Sequence, residues 1–316
     1  MPTASILGTA GYTGQETLDR LLGHPSLEVV ALGSDSQAGK PAQSLDPRLN
    51  GSLPAFCSNA EAAASGADVL FLCLGHAEAA AFEPPADGVV VDLSGAHRLR
   101  DKALAERWYE LAPGAWSYGL PEVSPPEGRL IANPGCHASA ALLALWPLRD
   151  VIDGPIGVDT KTGMTGAGRG LKDTTHAGFV LENLSPYAVE GHRHTPEIEQ
   201  TLGHVVTFVP HLLPVRRGLL ATCYVHASGD ARALIEAAYA ASAVVRVLPE
   251  GVVPELARVQ GTDAAEIGVF TNGEATIVIC AIDNLGKGAA GQAVQNANIA
   301  LGLPETSGLR LEGVRV

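Results

Sequence analysis

The N-terminal half of the chain alternates short apolar runs with stretches whose apolar residues recur every three to four positions. Ser5-Ile6-Leu7-Gly8 reads as a strand. Gln15 to Leu22 reads as a helix, because Leu18, Leu21 and Leu22 stand at i, i+3 and i+4. Leu27 to Leu32 predicts a second strand, Asp68 to Leu74 a third, Val89 to Val91 a fourth and Leu130 to Ala132 a fifth. Asn59 to Ser65 predicts a short helix, opened by Ser58 or Asn59 and closed by Gly66. These strand runs are apolar on both faces, as strands covered by two helix layers are. The β-α-β rhythm implies a doubly wound parallel sheet.

After about residue 150 the pattern changes. Val158 to Thr162, Val205 to Val209, Gly218 to His226 and Ala275 to Ile282 are longer strands with polar interruptions, and Asp230 to Val244 is the one strong helix among them. Strands outnumber helices here, which predicts an α+β domain with a mostly antiparallel sheet. In Gly288 to Leu301, Ala290, Val294, Ala297 and Leu301 share one helical stripe. The Pro-rich piece from Pro121 to Pro126 reads as a connector.

Composition narrows the function. The chain has 316 residues and a formal net charge of −13. That length suits two domains. The acidic balance argues against nucleic-acid binding and against docking on anionic lipid, both of which need a basic face. Five cysteines without a CxxC pair exclude a disulfide scaffold and a zinc finger, and fit a reducing cytoplasmic setting. No signal peptide and no membrane span are expected.

Chemistry concentrates at a few places. Gly8, Gly11 and Gly14 form a glycine turn between the first strand and the first helix, where backbone N–H groups can meet a pyrophosphate. The spacing is GxxGxxG, not GxGxxG. At the end of the second strand, Asp35 suits the ribose hydroxyl of NAD, whereas Ser34, Ser36 and Lys40 suit a 2′-phosphate. Asn133-Pro134-Gly135-Cys136-His137 follows the fifth strand and precedes an Ala- and Leu-rich helix, Ala138 to Leu145. Cys136 then stands at a helix N-terminus, which favours thiolate. Cys73, Cys223 and Cys280 fall in apolar strand runs, and Cys57 is expected to have no helix start beside it. In Gly191 to Ile198, Pro196 sets Glu197 in the first turn of a helix. His192, His194 and Glu197 are open to three readings: general base for a cysteine nucleophile, metal ligands, or structure alone. His137, His176 and His211 are further candidates to approach the site. The cluster Gly163 to Gly170 can bend around a ligand with Arg169 as an anion donor, and Arg98 and Arg100 are further anion-binding candidates.

Taken together, the chain resembles the N-acetyl-γ-glutamyl-phosphate reductase family over nearly its whole length. The resemblance lies in GxxGYTGxE at Gly8 to Glu16, DLSxxxRL at Asp92 to Leu99 and NPGC at Asn133 to Cys136. It continues in Thr165 to Arg169, GHRHTPEI at Gly191 to Ile198, Pro210-His211-Leu212 and DNLGKGAAGQAVQ at Asp283 to Gln295. NPGC and the glycine turn are shared with aspartate-semialdehyde dehydrogenases.

The resemblance implies NADPH-dependent reduction of an acyl phosphate through a cysteine thioester, with no metal required. It implies a Rossmann domain, residues 1–136 and 288–316, and an α+β substrate and oligomerisation domain, residues 137–287. The C-terminal helix is expected to return to the Rossmann domain. Cys136 is the implied nucleophile and His194 the implied base, with His192 and Glu197 nearby. Gly8, Gly11, Tyr12, Thr13, Gly14, Ser34, Ser36, Gly166, Asn284, Lys287 and Gly288 are the implied contacts of NADP. Arg98, Asn133 and Arg169 are the implied contacts of a small-molecule substrate. A homo-oligomer, dimer or tetramer, is implied as well. The family often has Arg where Asp35 stands. Two related reductases compete. Aspartate-semialdehyde dehydrogenase is disfavoured because no histidine follows Arg216-Arg217-Gly218. A carrier-protein-linked aminoadipyl-phosphate reductase of lysine biosynthesis would need a basic docking face. A redox sensor that had lost its chemistry would lack Cys136 or the histidine cluster.

Overall fold

The computed structural model describes residues 1–49, 53–170 and 173–313. Its backbone divides into two compact units, Met1–Pro134 with Ala289–Leu309, and Gly135–Gly288 with residues 310–313.

In the first unit the apolar runs become seven strands: β1 (Thr3–Leu7), β2 (Glu28–Gly33), β3 (Phe56–Cys57), β4 (Val69–Leu72), β5 (Val89–Asp92), β6 (Ser117–Tyr118) and β7 (Leu130–Ala132). They order as β3-β2-β1-β4-β5-β7-β6, and every pairing is parallel. This is the expected doubly wound sheet. β4 and β5 are buried along their full lengths, so alternation is absent where both faces are covered. One side of the sheet packs Ile6, Phe71 and Val91 against Leu18 and Leu21 of helix Tyr12–Leu22. The same cluster takes in Ala293, Val294 and Ala297 of helix Gly291–Ala300, so the C-terminal helix does return to this unit. Burying a leucine such as Leu18 stabilises by roughly 2 kcal/mol. A turn of π-helix, Gly286–Ala290, precedes that C-terminal helix.

The second unit holds β8 (Ile156–Thr162), β9 (Ser185–Pro186), β10 (Val206–Leu212), β11 (Leu219–Val225), β12 (Val245–Val247), β13 (Ala265–Asn272) and β14 (Ala275–Ile282). The order is β12-β13-β14-β11-β8-β10-β9. Four of the six pairings are antiparallel; β8–β10 and β12–β13 are parallel. The sheet is mostly antiparallel, as its polar interruptions implied.

The expectations need four corrections. Strand β13 has no counterpart in the pattern reading; Glu266 and Gly268 interrupt its apolar run, although its first five residues are buried. The helix expected over Asp230 to Val244 spans only Ala231–Tyr239, opened by the Asp230 carboxylate on Ala233 N–H, and β12 follows. It is also not the one substantial helix after residue 150, since His194–Leu202 is equally long. Residues 310–313, expected with the first domain, lie in the second unit; residues 314–316 of that assignment lie outside the described residues. Asp263 and Arg310 exchange bonds at 2.6 and 2.8 Å, and Arg246 binds the Leu311 carbonyl and, at 2.8 Å, Glu312.

Candidate active site

In the first unit the glycine turn is a place where side chains do not fit. Gly8 has φ +77°, and a methyl group there would lie 2.3 Å from the Cys73 carbonyl oxygen. A methyl group on Gly14 would lie 2.4 Å from the Gly8 carbonyl oxygen. Gly11 is the N-cap of helix Tyr12–Leu22 and supplies no side-chain cap, so Tyr12 and Thr13 open the helix with their N–H groups presented for an anion. The turn can therefore receive an anionic group against backbone N–H groups, with no side chain in the way.

Ser34 is buried at the end of β2, and its hydroxyl lies 3.4 Å from that of exposed Ser36. Asp35 is turned to Asn59: its carboxylate accepts Asn59 N–H at 2.8 Å and the Asn59 amide at 3.1 Å. Asn59 Oδ1 in turn accepts Gly8 N–H at 2.9 Å. Asp35 and Asn59 line a cleft of about 260 Å³ together with Leu7, Leu74, Glu78 and Phe82. Sequence reasoning missed Asn59 here; its only signal was its place at a helix start.

The expected substrate contacts in this unit are structural ties. Arg98 is buried and donates to the Asn133 carbonyl at 2.8 Å and the Leu93 carbonyl at 3.0 Å. Asn133 is buried, donates to the Ala289 carbonyl at 3.1 Å and accepts from Asn296 at 3.0 Å. Both residues fix the turn that leads to Pro134.

In the second unit Cys136 is the first residue of helix Cys136–Leu145, whose N-cap Gly135 has no side chain to close it. His137 to Leu145 are all buried, which holds the helix from every side. The Gly135 N–H donates to Glu197 Oε1 at 2.8 Å, and Glu197 is fully buried. The other Glu197 oxygen lies 4.0 Å from His194 Nε2. Glu197 stands in the first turn of helix His194–Leu202, as Pro196 implied. Gly288 passes so close to Cys136 that a methyl group on it would lie 2.7 Å from the Cys136 Cβ.

The remaining cysteines are unlike Cys136. Burial pushes the thiols of Cys73 and Cys223 up to about 12 and raises Cys57 and Cys280 as well. One expectation fails on detail: Cys57 does adjoin a helix start, since Ser58 caps helix Asn59–Ala63. Its sulfur nevertheless faces the Leu32 carbonyl at 3.7 Å.

A histidine cluster completes this part of the second unit. His192 Nδ1 accepts His194 N–H at 3.1 Å, and the two rings are 4.9 Å apart. The His137 ring lies 5.5 Å from that of His192 and 5.3 Å from that of His194. His137 Nδ1 is 2.8 Å from Thr160 Oγ1, and its Nε2 is 3.1 Å from the Tyr187 hydroxyl. Burial lowers His137 to about 3, with the His192 charge adding to it; burial and then Arg193 lower His192 to about 4. Burial raises the Tyr187 hydroxyl well above its ordinary value, and the Cys136 charge adds to that. Thr160 and Tyr187 carry no sequence signal and were missed.

Other expected residues scatter. Asn284 joins Thr165 Oγ1 at 3.0 Å to Gly218 N–H at 2.8 Å and so braces the Met164–Ala167 turn that contains Gly166. Lys287 is fully buried, and Arg169 is exposed. His211 sits 3.1 Å from Asp159, and exposed His176 caps helix Ala177–Val180.

Comparison with known proteins shows the family. Family models described as "Semialdehyde dehydrogenase, NAD binding domain" and "Semialdehyde dehydrogenase, dimerisation domain" match residues 3–130 and 136–284. The chain is 43% identical to an N-acetyl-γ-glutamyl-phosphate reductase of Pelotomaculum thermopropionicum, covering 98% of each. It is 41% identical to the Salinispora tropica protein of that name, again over 98% of each. Its fold is similar to aspartate semialdehyde dehydrogenase II of Vibrio cholerae, with TM-score 0.75 at 19% identity over 95% of this chain and 98% of that one. A Candida albicans aspartate semialdehyde dehydrogenase solved with NADP gives TM-score 0.64 at 17% identity, over 95% and 99%. The chain is an oxidoreductase with a nicotinamide-dinucleotide-binding domain, and it belongs to the N-acetyl-γ-glutamyl-phosphate reductase family.

Proposed function

We propose that this chain reduces N-acetyl-L-glutamyl 5-phosphate to N-acetyl-L-glutamate 5-semialdehyde and phosphate, with NADPH, in cytoplasmic arginine biosynthesis. The observation that carries the reading is Cys136 at the open start of a fully buried helix, with Glu197 fixing the preceding N–H and His194 beside Glu197. The Cys136 thiolate attacks the acyl carbon, the C–O bond to phosphate breaks with its electron pair, and a thioester remains. Backbone N–H groups at the helix start stabilise the oxyanion that forms on the way. When bound, the dinucleotide supplies the hydride that reduces the thioester. His194 protonates the oxyanion of the thiohemiacetal that results and takes that proton back as the C–S bond opens and sulfur returns to thiolate. Glu197 orients His194 and keeps the turn before Cys136 in place; His192 holds the His194 backbone N–H.

The glycine turn would hold the pyrophosphate, and the preference for NADP rests on β2. Both Asp35 oxygens are engaged by Asn59, which leaves the Ser34 and Ser36 hydroxyls to meet a 2′-phosphate. Arg98 and Asn133 shape the turn before the nucleophile, and Arg169 is the exposed candidate for an anionic group of the substrate. The second unit is proposed to carry the contacts of a homo-oligomer, a dimer or tetramer, which light scattering would measure. Among the described residues no helix is long and apolar enough to cross a membrane.

The test is a reverse assay in which phosphate-dependent oxidation of the semialdehyde is followed with NADP and with NAD. The reading requires phosphate dependence and faster rates with NADP. Equal rates with aspartate semialdehyde would overturn the substrate assignment, and an NAD preference would overturn the cofactor assignment.

A further inference from the structure

The spacing His192-x-His194-x-x-Glu197 offered a metal reading, but the structure assembles a different set. His137, His192 and His194 each present a ring nitrogen, and the three nitrogens all lie within 4.8 Å of one another. They come from two separate segments of the second unit: the helix that begins at Cys136, and the loop and first turn of His194–Leu202. Glu197 is not in the set; its oxygens belong to Gly135 N–H and the neighbourhood of His194.

We propose that His137, His192 and His194 form a binding site for a divalent transition-metal ion such as zinc, and that its occupation arrests the enzyme. An all-imidazole set selects zinc, copper or nickel over magnesium or calcium, which want oxygen ligands. Three histidines leave a fourth position for solvent or an anion, as zinc accepts. Zinc–nitrogen bonds of roughly 2.0–2.1 Å set neighbouring ligand nitrogens roughly 3.4 Å apart, so the rings need to close by about an ångström or so. Thr160 already orients one ligand. With Nδ1–H donated to Thr160 Oγ1, His137 Nε2 carries a lone pair, and the metal takes the place of the Tyr187 hydroxyl. His192 coordinates through Nε2 by moving its proton to Nδ1, which gives up the 3.1 Å bond from His194 N–H.

Arrest of turnover rests on the proposed role of His194: coordinated, its ring no longer takes the thiohemiacetal proton as the C–S bond opens. Metal binding itself does not depend on that role, so the two are tested separately. Full-length enzyme, freed of metal with a chelator, is titrated with zinc chloride by calorimetry, and with cobalt(II) to read its visible d–d bands. One ion per chain is expected, with unchanged affinity in Cys136→Ser and at least tenfold weaker affinity in His137→Phe. If His137→Phe melts early, His137→Gln and the count of metal-shifted imidazole resonances in cobalt-loaded wild type replace it; three are required. No zinc binding by the wild type overturns the site. So does binding lost in Cys136→Ser and kept in His137→Phe, which would mean thiolate chelation. Turnover is then followed against zinc occupancy. Proportional loss, reversed by chelator, is expected, and full turnover at full occupancy overturns the arrest while leaving the site.

Discussion

Helices Tyr12–Leu22 and Cys136–Leu145 begin alike and are buried differently. Each starts after a strand and a tight turn, each has a glycine N-cap, and neither has a side-chain cap. Helix Tyr12–Leu22 lies against its sheet by one face, through Gly14, Thr17, Leu18, Arg20 and Leu21. Helix Cys136–Leu145 has nine of its ten residues buried, all but Cys136. At three other helices a side chain closes the start: Ser58, Asp101 and Asp230 each accept first-turn N–H groups. Open starts leave N–H groups for a ligand, and closed starts satisfy them within the protein. What separates these two glycine-capped starts is the precision each demands. A pyrophosphate needs donors in a concave turn, whereas covalent attack needs one sulfur held to within a fraction of an ångström. The helix buried from every side is the one that carries the proposed nucleophile, Cys136.

The largest effect should come from breaking the second start. Cys136→Ser keeps the size and burial of the side chain and removes the thiolate. Turnover should fall by about 10⁴-fold, with the melting temperature unchanged and no acyl-enzyme seen by mass spectrometry after quenching. Retained turnover would show that the open start alone is the active element and that sulfur is dispensable.

The first start is broken by Gly14→Ala, whose new methyl would sit 2.4 Å from the Gly8 carbonyl oxygen and force the turn apart. Cofactor affinity should weaken by about 100-fold, measured by fluorescence titration. Alkylation of Cys136 by iodoacetamide should keep its rate. A parallel loss of alkylation would mean that the two starts are not independent devices, and the contrast between them would fail.

How far these devices were legible in the sequence follows from how local they are. The glycine turn, the proposed nucleophile and Glu197 in its helical first turn lie within short spans whose residue types have few other uses. β4 and most of β5 were legible because strands covered on both faces read as near-continuous apolar runs. The two-residue strands β3 and β6 were not, since nothing distinguishes so short an edge strand from a loop. β13 hid because Glu266, tied to Arg258 at 2.8 Å, is a buried charge that only tertiary structure makes affordable. The bond from Gly135 N–H to Glu197 joins positions 62 residues apart, and His137, Thr160 and Tyr187 meet from three segments. No local pattern encodes such meetings.

Acid should expose the cost of burying the histidines beside the second start. His192 has an ordinary value of 6.5 and is lowered to about 4, mainly by burial. The unfolded chain therefore binds more protons between these values, and folding stability rises with pH across that window. The contribution is fully present above pH 6.5 and is lost as pH falls towards 4. His192→Phe should flatten the acid limb of a denaturant-derived stability profile by about 2 kcal/mol, after allowance for partial solvent contact. An unchanged acid limb would place the His192 ring in water and remove it from the buried cluster.

The smallest effect should come from a closed start, and it carries the contrast the other way. Asp230 accepts Ala233 N–H at 3.0 Å and caps a helix on which no proposed catalytic residue stands. Asp230→Ala leaves that N–H to water and should cost about 1 kcal/mol of stability in chemical denaturation. The kcat and the KM for both substrates should stay within twofold. A closed start that changed turnover as strongly as an open one would mean that capping, and not ligand binding, divides these helices. A pure stability cost would mark the missing caps at Gly11 and Gly135 as the places where cofactor and substrate complete the fold.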